Sequence, residues 1–243
     1  YRGELLSRSG HRDIVLMNLG HGRFEAVVIE PASHGISAGV TLADMDGDGD
    51  PDVIAGSPGN LFPPGSGNGL RVLENNGAGA LWTVHTIDHD VSGIWDITSS
   101  DMNADGVEDV VICMGIFWDQ IGWFPGNGDF SFGGFQAISA SESSSNEPRN
   151  IHTADVDGDG DMDVLSASFN DDKVAWYEND GNQVFTEQII AINADGAVLV
   201  YATDVDGDGD GDRGMDGDGG EGEVEEGDEG IEVEALGKVV PGD

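Results

Sequence analysis

A chain that repeats an acidic, glycine-bent loop about every fifty residues, each copy feeding a run of β-branched residues, is committed to a series of small β units. The pattern D-x-[DN]-x-D-G-x-x-D occurs at residues 44–52, 101–109, 155–163 and 204–212, reading DMDGDGDPD, DMNADGVED, DVDGDGDMD and DVDGDGDGD. Oxygen-bearing side chains fill the first, third, fifth and ninth positions of every copy. They are Asp44, Asp46, Asp48 and Asp52; Asp101, Asn103, Asp105 and Asp109; Asp155, Asp157, Asp159 and Asp163; and Asp204, Asp206, Asp208 and Asp212. Calcium takes roughly six to eight oxygen ligands, and a short loop supplies them when alternate side chains turn inward and one residue allows a sharp bend. The bend falls on Gly49, Gly106, Gly160 and Gly209. By analogy with other Asp-rich calcium loops, the seventh position offers its backbone carbonyl, which explains why Val107 is tolerated there. Calcium is expected rather than magnesium, because magnesium demands a strict octahedron and retains its waters.

Asp/Gly runs are usually solvated linker. Here the second copy keeps the donor positions without the DGDGD monotony, and the first three copies each lead at once into apolar sequence. An EF-hand loop begins the same way but needs a Glu at position twelve and flanking helices. Position twelve is Ala55, Ile112, Ser166 or Met215, and Val53–Ala55, Val110–Cys113 and Val164–Ala167 are short and rich in β-branched residues, so they read as buried strands.

The loops begin 57, 54 and 49 residues apart, a period expected of propeller blades and other repeat arrays. Each unit has one internal order. A short strand places an apolar residue four positions before the first Asp (Val40, Ile97, Ile151, Val200), and the buried strand follows the loop. A third, amphipathic strand comes next: Leu70–Asn75, Ile121–Phe124 or Val174–Asn179. It ends in Asn76-Gly77, Asn127-Gly128 or Asp180-Gly181, dipeptides that accept the positive φ of tight hairpins. A fourth strand follows, as in Leu81–Val84 and Val184–Ile190, so four antiparallel strands make one blade. Residues 13–29 repeat the second half alone, around a Gly20-His21-Gly22 turn.

Units such as TADVDGDGDMDVLSASFNDDKVAWYENDGNQVFTEQII at 153–190 resemble FG-GAP or VCBS-type repeats, which also build the heads of integrin α subunits. The resemblance covers roughly residues 11–212, and it implies calcium ligation by the loop residues named above. The second unit departs from it by placing Asn103 at a ligand position. A WD-type propeller is the other candidate architecture, but its Trp-Asp dipeptide should recur at one place per blade. Trp95-Asp96 precedes a loop and Trp118-Asp119 follows one.

The expectation is therefore an all-β chain: a partial β-propeller array of four-stranded antiparallel blades over residues 1–212. It comprises a half blade at 11–35, blades at about 36–92, 93–147 and 148–197, and a partial unit at 198–212. After Asp212 the strand pattern gives way to Gly, Asp and Glu, which bury too little apolar surface to offset ordering entropy. Residues 213–243 are expected to be a disordered acidic tail, as a reading-frame slip in an Asp/Gly codon tract or a gene-model error would produce.

The formal charge of −39 weighs against nucleic acid and anionic membrane as partners. No apolar span is long enough for a transmembrane helix. The single cysteine, Cys113, falls in a buried-strand pattern and reads as a packed thiol. The chain shows no signal peptide, but open calcium loops suit millimolar extracellular calcium and hence an extracellular or cell-surface location.

No catalytic constellation emerges. Ser37 sits in a formal G-x-S-x-G, but a strand leading to the first acidic loop follows it where a nucleophile elbow needs a helix. His85, Asp88, His89 and Asp90 fall where a polar loop is expected, and His152 occupies a variable position before a loop. Trp95, Trp118, Trp123-Phe124 and Trp176-Tyr177 are either inter-blade packing or exposed platforms for a sugar ring or a protein loop. The functional expectation is a noncatalytic calcium-binding module that recognises a carbohydrate or an extracellular protein. The alternative is an accessory repeat domain of an extracellular polysaccharide-degrading enzyme.

Overall fold

The computed structural model describes residues 13–21, 23–30, 39–57, 69–77, 82–115, 118–139 and 146–202. They form fourteen strands and no helix. Strands β1 (Asp13–Gly20) and β2 (Arg23–Glu30) pair as a hairpin. The first blade is β3 (Gly39–Ala43), β4 (Asp52–Gly56), β5 (Leu70–Asn75) and β6 (Trp82–Asp88). The second is β7 (Ile94–Ser100), β8 (Asp109–Met114), β9 (Gln120–Phe124) and β10 (Gln136–Ala137). The third is β11 (Pro148–Ala154), β12 (Asp163–Ser168), β13 (Lys173–Asn179) and β14 (Phe185–Ala191). Each blade is an antiparallel meander in sequence order, and β3, β7 and β11 lie beside one another as the inner strands of a partial β-propeller. In such a meander the acidic loop between strands one and two shares an end with the turn between strands three and four.

The second strand of each blade is apolar throughout because both of its faces are covered. On β8, Val110, Ile112 and Met114 pack toward the first blade with Ile54, Leu70 and Val72. Val111 and Cys113, on the opposite face, pack toward the third blade with Ile151, Val164 and Ala175. The same alternation sends Ile54 toward the second blade and Val53 and Ala55 toward Val15 and Val27 of the hairpin. Beyond the third blade, Leu165, Ala167 and Val174 meet Ala197, Val200 and Ala202, a segment that lies against the blade without joining a sheet. Each fully buried Val, Ile or Leu contributes roughly 1.5–3 kcal/mol, so these seams hold the array together.

A polar seam runs along the inner strands. The residue just before the conserved apolar position accepts the backbone N–H of the equivalent apolar residue in the next unit. Thus the Ile151 N–H reaches the Asp96 carboxylate at 3.2 Å and the Val200 N–H reaches Asn150 Oδ1 at 2.8 Å. Asn150 also donates its Nδ2 to Asp96, joining the two bonds into one chain. Burial lifts the Asp96 carboxyl above its ordinary range, a rise these hydrogen bonds oppose. In the first blade this position is Gly39.

The second blade departs from the expected outline. Its fourth strand has two residues where β6 and β14 have seven each. The preceding loop instead carries Phe130, Phe132 and Phe135 onto the core shared with the first blade. Phe130 stacks on His85 of β6 at 4.5 Å, and Phe135 packs on Phe124 at 5.4 Å. The fourth acidic loop, its expected ligands Asp204, Asp206, Asp208 and Asp212, the expected 213–243 tail and Ser37 lie outside the described residues.

Candidate metal centres

The three described acidic loops share one hydrogen-bond scaffold. The first Asp accepts the N–H of the bend glycine through Oδ2, at 2.9 Å for Asp44–Gly49, 2.7 Å for Asp101–Gly106 and 3.0 Å for Asp155–Gly160. The third residue (Asp46, Asn103 or Asp157) accepts the N–H of the fifth through Oδ1. The fifth (Asp48, Asp105 or Asp159) accepts the N–H of the seventh in the same way. These are Asx turns, in which a short carboxylate or carboxamide takes the place of a backbone carbonyl.

The bend glycines have φ of 93°, 86° and 97°, as the sequence requires. A second left-handed residue occurs at the fourth position, with φ of 75° at Gly47, 56° at Ala104 and 67° at Gly158. The recurrence of glycine at that position in three of the four copies is the sequence signal for it, and Ala104 adopts the conformation at a steric cost.

The ninth Asp fastens the loop to the rest of its blade. Asp52, Asp109 and Asp163 are at most 1 % exposed. In each, Oδ2 accepts the N–H of the second loop residue, Met45, Met102 or Val156, at 2.9–3.0 Å. Oδ1 accepts the N–H at the end of the third strand or just beyond it, Asn75, Gly126 or Asn179, at 2.7–2.8 Å. One side chain therefore ties the inner loop to the outer hairpin. Asn179 extends the tie by donating Nδ2 to the carbonyls of Met162, in its own loop, and Met102, in the loop of the second blade. Burial pushes the Asp109 and Asp163 carboxyls up to about 6 against the pull of these N–H donors, and raises Asp52 in the same direction.

The residue at the second position is apolar in each described loop and plugs the core beneath it. Met45 lies in the seam between the first and second blades, Met102 in that between the second and third, and Val156 against the core beyond the third.

Carboxylate oxygens converge to within 4.8 Å of one another in two trios, Asp44–Asp46–Asp52 and Asp155–Asp157–Asp159, and either trio could hold a metal ion. Asp48 stays outside the first trio and Asp163 outside the third-loop trio. Among the described residues the second loop gathers no such trio, because Asn103 replaces the third-position carboxylate. Buried oxygens test the fit. Asp44 Oδ1 and Asp155 Oδ1 are shielded from water and have no hydrogen-bond partner, whereas Asp101 Oδ1 accepts the Asp105 N–H at 3.1 Å. A buried carboxylate oxygen without a donor is costly unless a cation meets it. The first and third loops thus fit a hard divalent cation in both donor chemistry and unmet demand.

The other singled-out residues fall elsewhere. His85 is half-buried and pairs with Glu74 at 2.7 Å, while His89 belongs to no metal-holding cluster among the described residues. His152 packs at a tilt against Tyr201, with ring centroids 4.7 Å apart, and burial lowers its pKa. Cys113 is fully buried, and desolvation raises its thiol pKa. Trp123, Phe124 and Tyr177 are core residues, the inter-blade packing reading of these aromatics. Trp95 is partly buried under the Arg149 guanidinium, 4.1 Å from its ring, and Trp176 packs against the third blade's outer core. Of the named aromatics, Trp118 is the exposed one.

Residues 2–55 and 155–213 match a family described as FG-GAP-like repeat, and the matched segments contain the first, third and fourth acidic loops. No curated protein matches the chain.

Proposed function

Because the chain carries FG-GAP-like repeats on a partial β-propeller frame, we propose that it is a noncatalytic, calcium-binding recognition module of the cell exterior, with a carbohydrate or an extracellular protein as ligand. The observation that carries the calcium reading is the pair of buried, unpartnered oxygens, Asp44 Oδ1 and Asp155 Oδ1, each within a converging carboxylate trio. Asp44, Asp46, Asp48 and Asp52 would hold one ion, Asp155, Asp157, Asp159 and Asp163 another. Asp101, Asn103, Asp105 and Asp109 form a weaker set, and Asp204, Asp206, Asp208 and Asp212 form the fourth. Calcium's part is to neutralise carboxylates that the fold has drawn together, which removes their mutual repulsion and the cost of the orphaned oxygens.

The chain's own residues supply the remaining stability. The ninth-position aspartates hold each loop on its outer hairpin, and the second-position apolar residues anchor it in the seams. Residues 1–212 form the recognition array in this reading, with 213–243 as a separate acidic tail. The strong negative charge directs the module toward neutral or cationic partners. No helix among the described residues is long and apolar enough to cross a membrane.

Thermal unfolding in saturating calcium, in magnesium and in excess chelator tests the metal assignment. Calcium is expected to raise the melting temperature and magnesium to raise it less. The same melting temperature in all three would sink the assignment. Calcium-dependent retention on immobilised extracellular glycans or proteins, lost in chelator, tests recognition.

A further inference from the structure

Among the described residues, the short fourth strand of the second blade leaves part of the third blade's facing surface without a partner strand. A cavity of about 430 Å³ lies there, lined mostly by residues from the end of the array away from the acidic loops. Its size falls within the roughly 300–1,000 Å³ of small-ligand sites. Ile138, Pro148 and Phe185 give it an apolar wall, while Asp119, Lys173, Tyr177 and Glu187 bring charged and hydroxyl groups to the same space.

The polar groups are already held in place. Lys173 Nζ lies 2.6 Å from Glu187 Oε1 and 3.7 Å from Asp171. The Tyr177 hydroxyl donates to the same Glu187 oxygen at 3.3 Å, and Asp119 Oδ1 accepts the Glu147 N–H at 3.1 Å. Ordering these side chains in advance lowers the entropy cost of binding.

We propose that this cavity binds a neutral saccharide of one or two rings, which makes it the ligand site of the recognition module proposed above. A sugar presents hydroxyls that both donate and accept, together with a face of C–H groups. The carboxylates, ammonium and phenol match the first, and the Phe185–Pro148–Ile138 wall matches the second. The lining also argues against charged sugars. Lys173 is already neutralised by Glu187 and Asp171, so an acidic sugar meets no spare cation and must approach a strongly negative chain. A cationic sugar competes with Lys173 for Glu187. Hydroxyl groups use both partners without displacing either.

The test is binding by the calcium-saturated protein to an array of immobilised neutral mono- and disaccharides, uronic acids and amino sugars, with Asp119→Asn and Phe185→Ala beside the unaltered protein. Neutral sugars are expected to bind, and each substitution to weaken binding at least tenfold. An NMR titration of the unaltered protein with the best neutral sugar keeps the test independent of how the variants fold. Shifts centred on Ile138, Lys173, Phe185 and Glu187 support the site. Neutral-sugar binding with shifts elsewhere, or with both variants unaffected, overturns the site and leaves the recognition reading standing. Binding of charged sugars alone, or of no sugar at all, also overturns it. Loss of calcium-dependent retention on every glycan and protein surface is the separate result that removes the recognition reading.

Discussion

The second and third acidic loops have the same shape and different contents. Both use the first residue to hold the bend glycine, the third to hold the fifth, the fifth to hold the seventh, and the ninth to hold the outer hairpin. Yet the third loop brings together three carboxylates and leaves Asp155 Oδ1 unpartnered, whereas the second has Asn103 and satisfies Asp101 Oδ1 internally. The loop fold is therefore set by backbone N–H groups and short oxygen acceptors, to which Asn and Asp contribute alike. The number of charges is left to decide how strongly a cation is needed.

The most damaging way to test this comparison is to truncate the ninth residue. Asp109→Ala and Asp163→Ala each strand two buried or partly buried N–H donors, at roughly 1–3 kcal/mol apiece. Both should lower stability by about 2–6 kcal/mol, with and without calcium, as measured by denaturant unfolding. A loss confined to the third loop would show that the second does not share its scaffold. Removing the first-position ligand should instead separate the loops. Asp155→Asn should abolish one calcium site in a calorimetric titration, whose linkage contribution is roughly 2.7 kcal/mol at a hundredfold excess over Kd. Asp101→Asn should change the titration less.

Two substitutions make the second loop more like the third. Ala104→Gly relieves a left-handed alanine at φ 56° and should stabilise the protein by about 1–2 kcal/mol, an upper value because glycine also gains freedom in the unfolded chain. Asn103→Asp should restore a carboxylate trio and tighten calcium binding at that loop, while lowering stability in chelator through added repulsion.

The last expected effect is on pH. Burial raises Asp109 and Asp163 to about 6 from an ordinary value near 3.8. The metal-free folded protein then binds protons more tightly than the unfolded chain. Its stability should rise as pH falls from 7 through 6 toward 4, and fall again as pH rises through 6. Bound calcium, which favours the charged carboxylates, should flatten or reverse this slope in thermal melts. An unchanged slope on adding calcium would count against ligation at these loops.

Much of the frame was legible because its determinants are local. Val110–Cys113 reads as a strand covered on both faces, since period-two alternation cannot leave an apolar face in a run that has no polar member. Leu70–Asn75 coincides with β5, and the glycines of the third-strand turns, Gly77, Gly128 and Gly181, have φ of 91°, 73° and 74°. The aromatics were less legible. A Trp or Phe in an alternating strand reads the same whether its face meets water or a neighbouring blade, and for Trp123 and Phe124 the neighbour decided. The two-residue β10 was also hidden, because a loop carrying three phenylalanines replaces the missing strand through contacts with a different blade.

The sequence by itself determined the spacing of the oxygen donors, the glycine bends and the order of strands within a blade, because each depends on residues a few positions apart. Tertiary structure alone decided which of those oxygens are left without a donor, that the ninth aspartate reaches 16–23 residues along the chain to hold the outer hairpin, and that Asp96 and Asn150 link one unit to the next. A residue's type says what it can accept. Only the folded chain says which hydrogen-bond donors are brought within reach.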